Sequence, residues 1–155
     1  MKKTNAVRIL DRLKITYELV EYVVDESDLS AVHLAETARI PITQVYKTLV
    51  LEGDKNGYFV CIIPGAEEID LKKAAAISAN KKASMIKVKE LEPLTGYIRG
   101  GCSPLGMKKQ FPVYMDTSAF NLDTIYISAG IRGMQIRLSP EDLLRACNAN
   151  KSGLI

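Results

Sequence analysis

The chain has one histidine, His33, three cysteines without a CxxC spacing, and no apolar run near the ~20 residues that a membrane-spanning helix needs. Each shortage removes a class of function. A Ser/His/Asp or Cys/His system would have to use His33, which sits in an amphipathic helical segment with no adjacent nucleophile elbow. Cys61, Cys102 and Cys147 are odd in number, so neither a disulfide framework nor a zinc site is suggested, and free thiols fit a reducing compartment. The Lys2-Lys3 start leads into polar Thr4 and Asn5 rather than an apolar signal core, so the expected location is the cytoplasm, with no membrane partner. There is no GxxxxGK[ST] loop, no strand-linked GxGxxG, no His-x-x-x-His and no carboxylate pair at metal spacing; neither cofactor nor metal is expected. Repeats, low-complexity tracts and Pro/Ser-rich linkers are also missing, so residues 1–155 read as a single domain.

What is present is ordinary in bulk. A chain of 155 residues, 47% hydrophobic and 25% charged, has the make-up of a globular protein and buries roughly 70% of its unfolded surface. The net charge of +3 is small. Lys72-Lys73, Lys81-Lys82, Lys87, Lys89 and Lys108-Lys109 nevertheless crowd the middle third, where they could follow a phosphate backbone. Charge alone favours the plainer reading, a set of solvated lysines.

Periodicity gives a coarse element order. Thr4 caps a first helix with Val7, Leu10 and Leu13 at helical spacing, and Ile15 to Val24 reads as a strand. A short helix from Ala31 to Arg39, capped by Ser30, stops before Pro41. Val45 to Leu51 and Tyr58 to Ile63 read as a hairpin. Asp70 caps a helix with Leu71, Ala74, Ala75 and Ile77 facing inward; Met85 to Val88 is a weaker strand, followed by a helical turn ending near Gly96. Gly96 to Gly106 is loop-like. Val113 to Met115, Thr124 to Ser128 and Met134 to Leu138 are further strands, and Ser139-Pro140 opens a last helix with an apolar stripe of Leu143, Leu144 and Cys147. Strands in hairpins with helices between them predict an α/β chain of the α+β type. Its sheet should be mixed, mainly antiparallel and partly closed, surrounded by short helices.

Two features stand out chemically. Lys47 lies inside the apolar strand Val45 to Val50, where period two puts it beside Leu49 and Leu51 while Tyr46, Thr48 and Val50 share the other face. Such a lysine either snorkels to solvent or points into a cleft as a fixed positive charge. The loop Thr95 to Gly106 contains Gly100-Gly101-Cys102-Ser103-Pro104, whose glycines allow close backbone approach and whose N–H groups can stabilise an oxyanion; a structural turn would need the same residues.

Together these segments resemble the YbaK family of Cys-tRNA(Pro) deacylases, within the superfamily that contains the prolyl-tRNA synthetase editing domain. The resemblance rests on Tyr46-Lys47-Thr48-Leu49, Leu71 to Ala75, Thr95-Gly96-Tyr97, Gly100 to Lys109, Thr124 to Ser128 and Arg132-Gly133, in order over nearly the whole chain. It implies hydrolysis of the ester between a mischarged amino acid and the terminal adenosine of tRNA. It also implies that Lys47 is the essential pocket residue and that Tyr22, Ser30, Thr48, Gly100 and Ser128 occupy pocket positions, with Gly101 and Cys102 extending the loop. Lys47, Gly100 and Gly101 are thus the expected catalytic group; Tyr22, Ser30, Thr48, Cys102 and Ser128 are expected to bind substrate. Two positions depart from the family: an aromatic residue often stands where Ser30 is aligned, which could shift the alignment onto Leu29, and an aliphatic one where this chain has Cys102.

With no base nearby in sequence, Cys102 reads as a small apolar substitute rather than a nucleophile. In the family the substrate cysteine assists its own release, its thiol attacking the ester carbonyl, and no protein triad is needed. Lys72, Lys73, Lys108, Lys109 and Arg132 are expected to guide the acceptor stem of the tRNA, and prolyl-tRNA synthetase is the expected protein partner. Other readings of the same residues are a deacylase for alanine or another small amino acid, a silent tRNA-, nucleotide- or synthetase-binding module, and a thiol hydrolase using Cys102.

Overall fold

The computed structural model describes residues 3–155, so Lys2 of the Lys2-Lys3 start lies outside the described residues. Helix α1 (Asn5–Arg12) begins at Thr4, whose Oγ1 accepts from the Val7 amide at 3.2 Å; a cap of this kind stabilises a helix by about 1 kcal/mol. Val7 and Leu10 are fully buried, but Leu13 is exposed because the helix has ended by then. The expected strand at 15–24 contracts to β1 (Glu18–Glu21). Ile15 is still tied to the helix through its amide bond to Leu10 O, and Lys14 reverses the chain at a positive φ.

Helix α2 (Ala31–Ala38) is capped by Ser30, whose Oγ accepts from the His33 amide, and Arg39 closes it in the left-handed region. Strands β2 (Tyr46–Gly53) and β3 (Gly57–Pro64) form the expected hairpin, with a tighter turn than the sequence suggested because pairing continues through Gly53 and Gly57. Asn80 pins that turn: its Oδ1 accepts from the Lys55 and Asn56 amides at 2.9 and 2.8 Å. Helix α3 (Leu71–Ile77) starts at the Asp70 cap; its Ala74 and Ala75 are buried, whereas Leu71 and Ile77 are exposed, contrary to the inward stripe expected. Two turns of helix present only one narrow face to the sheet, and the alanines fill it.

Strand β4 (Ala83–Met85) lies earlier than expected, since Val88 already belongs to α4 (Val88–Thr95), which Gly96 terminates. Residues 97–112 carry no helix or strand. Strands β5 (Val113–Asp116), β6 (Ile125–Ser128) and β7 (Met134–Leu138) follow, then α5 (Pro140–Cys147), where Ser139 Oγ accepts from the Asp142 amide. In α5, Leu143 is fully buried, while Leu144 and Cys147 are only partly so. Strand β8 (Asn150–Ser152) was not foreseen, because Asn-Lys-Ser carries no strand signal of its own.

The strands form a five-stranded sheet, β4-β2-β3-β5-β8, and a three-stranded sheet, β1-β7-β6. Pairing is antiparallel except for β3–β5 and β5–β8. A parallel bridge between Val45 and Tyr126 joins the two sheets, which gives the mixed, mainly antiparallel and partly closed arrangement expected. The β2–β3 hairpin is covered on both faces. Tyr46, Val50, Val60 and Ile62 enter the main core with α1, β6 and β7, while Leu51, Phe59, Cys61 and Ile63 pack with Ala74 and Leu154. Period-two alternation in β2 is what sends these sets to opposite sides.

Candidate active site

Val45, just ahead of β2, bridges to Tyr126 of β6, and among the described residues no further ladder joins the two strands. Two residues further along them stand Lys47 and Ser128, and the fork opens into a cavity of about 480 Å³. Its walls come from β2 (Tyr46 to Val50), the head of α2 (Leu29, Ser30, Ala31), the Met85 to Val88 stretch, the loop residues Arg99, Gly100 and Cys102, and Ser128 and Gln135 of the small sheet. Lys47, Thr48, Ser30, Gly100, Cys102 and Ser128, all singled out from sequence, therefore meet here. Leu29, the neighbour of Ser30, lines the cavity as well. Tyr22 does not; it lines a small adjoining hollow that shares Leu29, Ser30, Leu34 and Gly100 with the cavity.

Lys47 pairs across the hairpin with Ile63 and is half-buried. Burial pushes its ammonium below the usual lysine range, and the nearby carboxylates of Glu68 and then Glu67 act in the other direction. Among the described residues it makes no hydrogen bond or ion pair. Two lining residues each carry a buried side-chain atom with no hydrogen-bond partner among the described residues, Thr48 Oγ1 and Gln135 Oε1. Ser128 Oγ accepts from the Gly130 amide at 3.1 Å, which leaves its own proton free to donate.

The glycine loop divides its work. Gly100 adopts φ +85, with Leu29 packed over the place a Cβ would take. The amides of Gly100 and Cys102 have no acceptor among the described residues, whereas the Gly101 amide donates to Ile98 O at 3.0 Å. Gly101 is buried and does not line the cavity, so its N–H is spent on the turn rather than turned toward a ligand. Burial pushes the Cys102 thiol up to about 12, and those of Cys61 and Cys147 likewise. At neutral pH these groups are thiols, not thiolates. His33 is engaged in the adjoining hollow, its Nε2 3.2 Å from Asp25 Oδ2. Another close approach fixes the α2 wall: a Cβ at Gly65 would stand 2.5 Å from Ala31 Cβ and 3.1 Å from Val45 O.

The basic residues expected to meet tRNA all lie outside the cavity lining. Lys72 and Lys73 are exposed in the first turn of α3, with Lys73 Nζ donating to Ile155 O at 2.6 Å. Lys108 and Lys109 are exposed on the segment after Gly106. Arg132 is partly occupied, its Nε donating to Arg99 O at 2.8 Å. Sequence reasoning missed Arg99, Lys87 and Gln135 as cavity residues. For Gln135 the alternation Met134 to Leu138 reads as a solvent-facing position; only the packing of α2 over Val20 and Tyr126 on that face shows otherwise. Among the described residues no group of three or more His, Cys, Asp or Glu side chains stands close enough to hold a metal ion.

A fork between two sheets, whose walls set hydroxyl, amide and cationic groups among apolar side chains such as Leu29, Leu49 and Ile86 and hold no ionised thiol, can position a substrate that is part polar and part apolar. The chain belongs to the aminoacyl-tRNA editing domain family, whose model matches residues 25–146. It is 50% identical over 147 residues, 95% of this chain and 90% of the relative, to the Enterococcus faecalis protein named "Putative Cys-tRNA(Pro)/Cys-tRNA(Cys) deacylase EbsC". The fold is shared with a crystal structure described as "a putative trans-editing enzyme for prolyl tRNA synthetase", at TM-score 0.81 and 24% identity over 99% of this chain and 98% of that one. A hypothetical protein of known structure superposes with TM-score 0.88 at 18% identity, covering 97% and 99% of the two chains.

Proposed function

We propose that residues 1–155 act as one cytoplasmic trans-editing unit that hydrolyses Cys-tRNA(Pro), and Cys-tRNA(Cys) as a second substrate. The observation that carries this reading is a cavity lined by Lys47 and by Gly100 and Cys102, whose amides have no acceptor among the described residues, and without an ionised thiol, since burial keeps the Cys102 thiol protonated. The half-identical Enterococcus relative, named for the same activity, supports the choice of amino acid.

The substrate supplies the missing nucleophile. Its side-chain sulfur forms a bond to the ester carbonyl carbon, the bond from that carbon to the ribose oxygen breaks, and the ribose oxygen takes the thiol proton. Water then opens the resulting thiolactone to free cysteine. Lys47 orients the aminoacyl group, the Gly100 and Cys102 amides hold the carbonyl oxygen as it gains charge, and Ser128 donates to the terminal ribose. Tyr22, Ser30 and Thr48 complete the binding surface. Lys72, Lys73, Lys108, Lys109 and Arg132 attract the acceptor stem, and prolyl-tRNA synthetase delivers the tRNA.

The test is release of amino acid from Cys-tRNA(Pro), Ala-tRNA(Pro) and Pro-tRNA(Pro) by wild type, Lys47→Ala and Cys102→Ser. Rapid release of cysteine, lost by at least about 100-fold in Lys47→Ala and kept in Cys102→Ser, is the expected result. Release of alanine alone would keep the reaction and change the amino acid. Binding without release from any substrate would replace the enzyme with a binding module.

A further inference from the structure

An esterified amino acid brings no negative charge of its own. Its carboxyl is tied up in the ester and its α-amino group is a cation, so a positively charged cavity by itself repels it. Yet the cavity is of one sign: Lys47, Lys87 and Arg99 line it, and among the described residues no Asp or Glu does. The whole chain is nearly balanced, with 21 Lys and Arg against 18 Asp and Glu, so the segregation belongs to the site and not to the composition. Lys47 has the carboxylates of Glu68 and Glu67 nearby. Lys87 and Arg99 are exposed, and neither side chain makes a hydrogen bond or an ion pair among the described residues. Glu90 accepts from the Lys87 amide at 3.1 Å, not from its ammonium.

The backbones of these two residues are held while their side chains stay free. Lys87 is the N-cap of α4, and the Arg99 carbonyl accepts from Arg132 Nε at 2.8 Å. A concave site lined by one sign of charge, between walls of low dielectric, concentrates the opposite ion. On the reading that this cavity takes the aminoacyl end of tRNA, the anion that arrives with the ester is the phosphodiester chain of the single-stranded 3′ end. We propose that Lys87 and Arg99 bind the phosphodiester groups next to the terminal adenosine and so guide the 3′ strand into the cavity. Each cation takes a phosphate of its own, and the two need not meet at one atom. The stretch that carries Lys87 suits a nucleotide in a second way. Met85 and Val88, on either side of it, line the same cavity and are 45% and 63% exposed, which leaves apolar surface for a nucleobase to cover. The lysines outside the cavity lining, Lys72, Lys73, Lys108 and Lys109, are then left to the stem.

The test compares two non-hydrolysable probes. One is 3′-deoxy-3′-(cysteinylamino)adenosine, which has no phosphate; the other is the same nucleoside extended at its 5′ end by cytidylyl-cytidylyl, which adds two phosphodiesters. Binding is followed by calorimetry over a range of salt for wild type, Lys87→Gln, Lys87→Arg and Arg99→Gln. Wild type should bind the extended probe about tenfold or more tightly than the short one at low salt. Its log affinity should fall with log salt with a slope of about 1.4, or about 0.7 for each phosphate engaged. Lys87→Gln and Arg99→Gln should each lose about half of that slope and keep the affinity for the phosphate-free probe within about twofold, while Lys87→Arg retains the wild-type slope. Equal weakening toward both probes would place the side chain on the aminoacyl nucleoside and overturn the proposal. So would a wild type that gains nothing from the two phosphates or binds neither probe. Uncharged cytidylyl-cytidylyl-adenosine carries the same phosphates without an ester. Its binding through Lys87 and Arg99, together with failure to hydrolyse any aminoacyl-tRNA, would refute the proposed function while leaving this subsite standing; hydrolysis of Cys-tRNA(Pro) with no gain from the phosphates would do the reverse.

Discussion

At Lys47 burial and charge pull in opposite directions: burial lowers the ammonium pKa, and Glu68 and Glu67 raise it less. The folded value therefore lies below that of the unfolded chain. Between the two values the unfolded chain holds more protons, so stability rises with pH across that window; below it the cost of the buried charge is fully present. Lys47→Met keeps the stem of the side chain and removes the charge. It should raise Tm at pH 7 by about 2 °C and lose most of that gain as the pH is taken toward 10.5, the ordinary lysine value. Calorimetry across pH checks this, and a Tm that falls at pH 7 would show that the ammonium stabilises the fold. Lys47 was legible in the sequence because a cation inside an apolar strand is anomalous, and Thr48 only through the family resemblance. Gln135 was not, because a polar residue at an alternate strand position looks solvated until a helix is found lying over it.

The hairpin of β2 and β3 delivers Lys47 and Thr48 at one end and is fastened at the other. Asn80 accepts from two turn amides and donates to Ser78 Oγ, and Asn56 Nδ2 donates to the Ser78 and Ala79 carbonyls. Asn80→Ala would strand the Lys55 and Asn56 amides near the surface and should cost about 2 kcal/mol in urea denaturation. The site lies at the far end of the strands, so deacylation per folded molecule should stay within about twofold; a large fall in activity at full folding would couple the turn to the cavity. Elements with a local cause were readable from the residues alone. Thr4, Ser30, Asp70 and Ser139 each cap the helix expected of them. β4 and β8 were misplaced or missed because three-residue strands owe their form to the neighbours they pair with, β2 and β5, not to their own side chains.

Over the whole molecule, the proposed function has the exposed cations attract tRNA through released counterions, so the dependence on salt would measure how many are engaged. Replacing Lys108 and Lys109 together by Gln should lower the slope of log affinity against log salt by about 1.5, while the affinity for a minimal aminoacyl-adenosine stays unchanged. Equal slopes in variant and wild type would move the tRNA path to another face. The global arrangement of two sheets was foreseeable only in class. Where they meet depends on a bridge between Val45 and Tyr126, residues far apart in sequence, and the cavity exists because the strands separate beyond it.

One missing methyl group governs how that cavity can breathe. The backbone of Gly65 lies against Ala31, and its amide is bonded to Val45 O at 2.7 Å, so the head of α2 is seated on the hairpin like a fixed jamb. The Leu29–Ser30 wall is thus held next to a contact that leaves no room for even a methyl group. Any extra room has to be found on the opposite side, where the Met85 to Val88 stretch hangs from the short β4 ladder. On the proposed function, a bulkier amino acid would have to find its room beside the Met85 to Val88 stretch, and a position without a side chain, Gly65, would be what closes the other side.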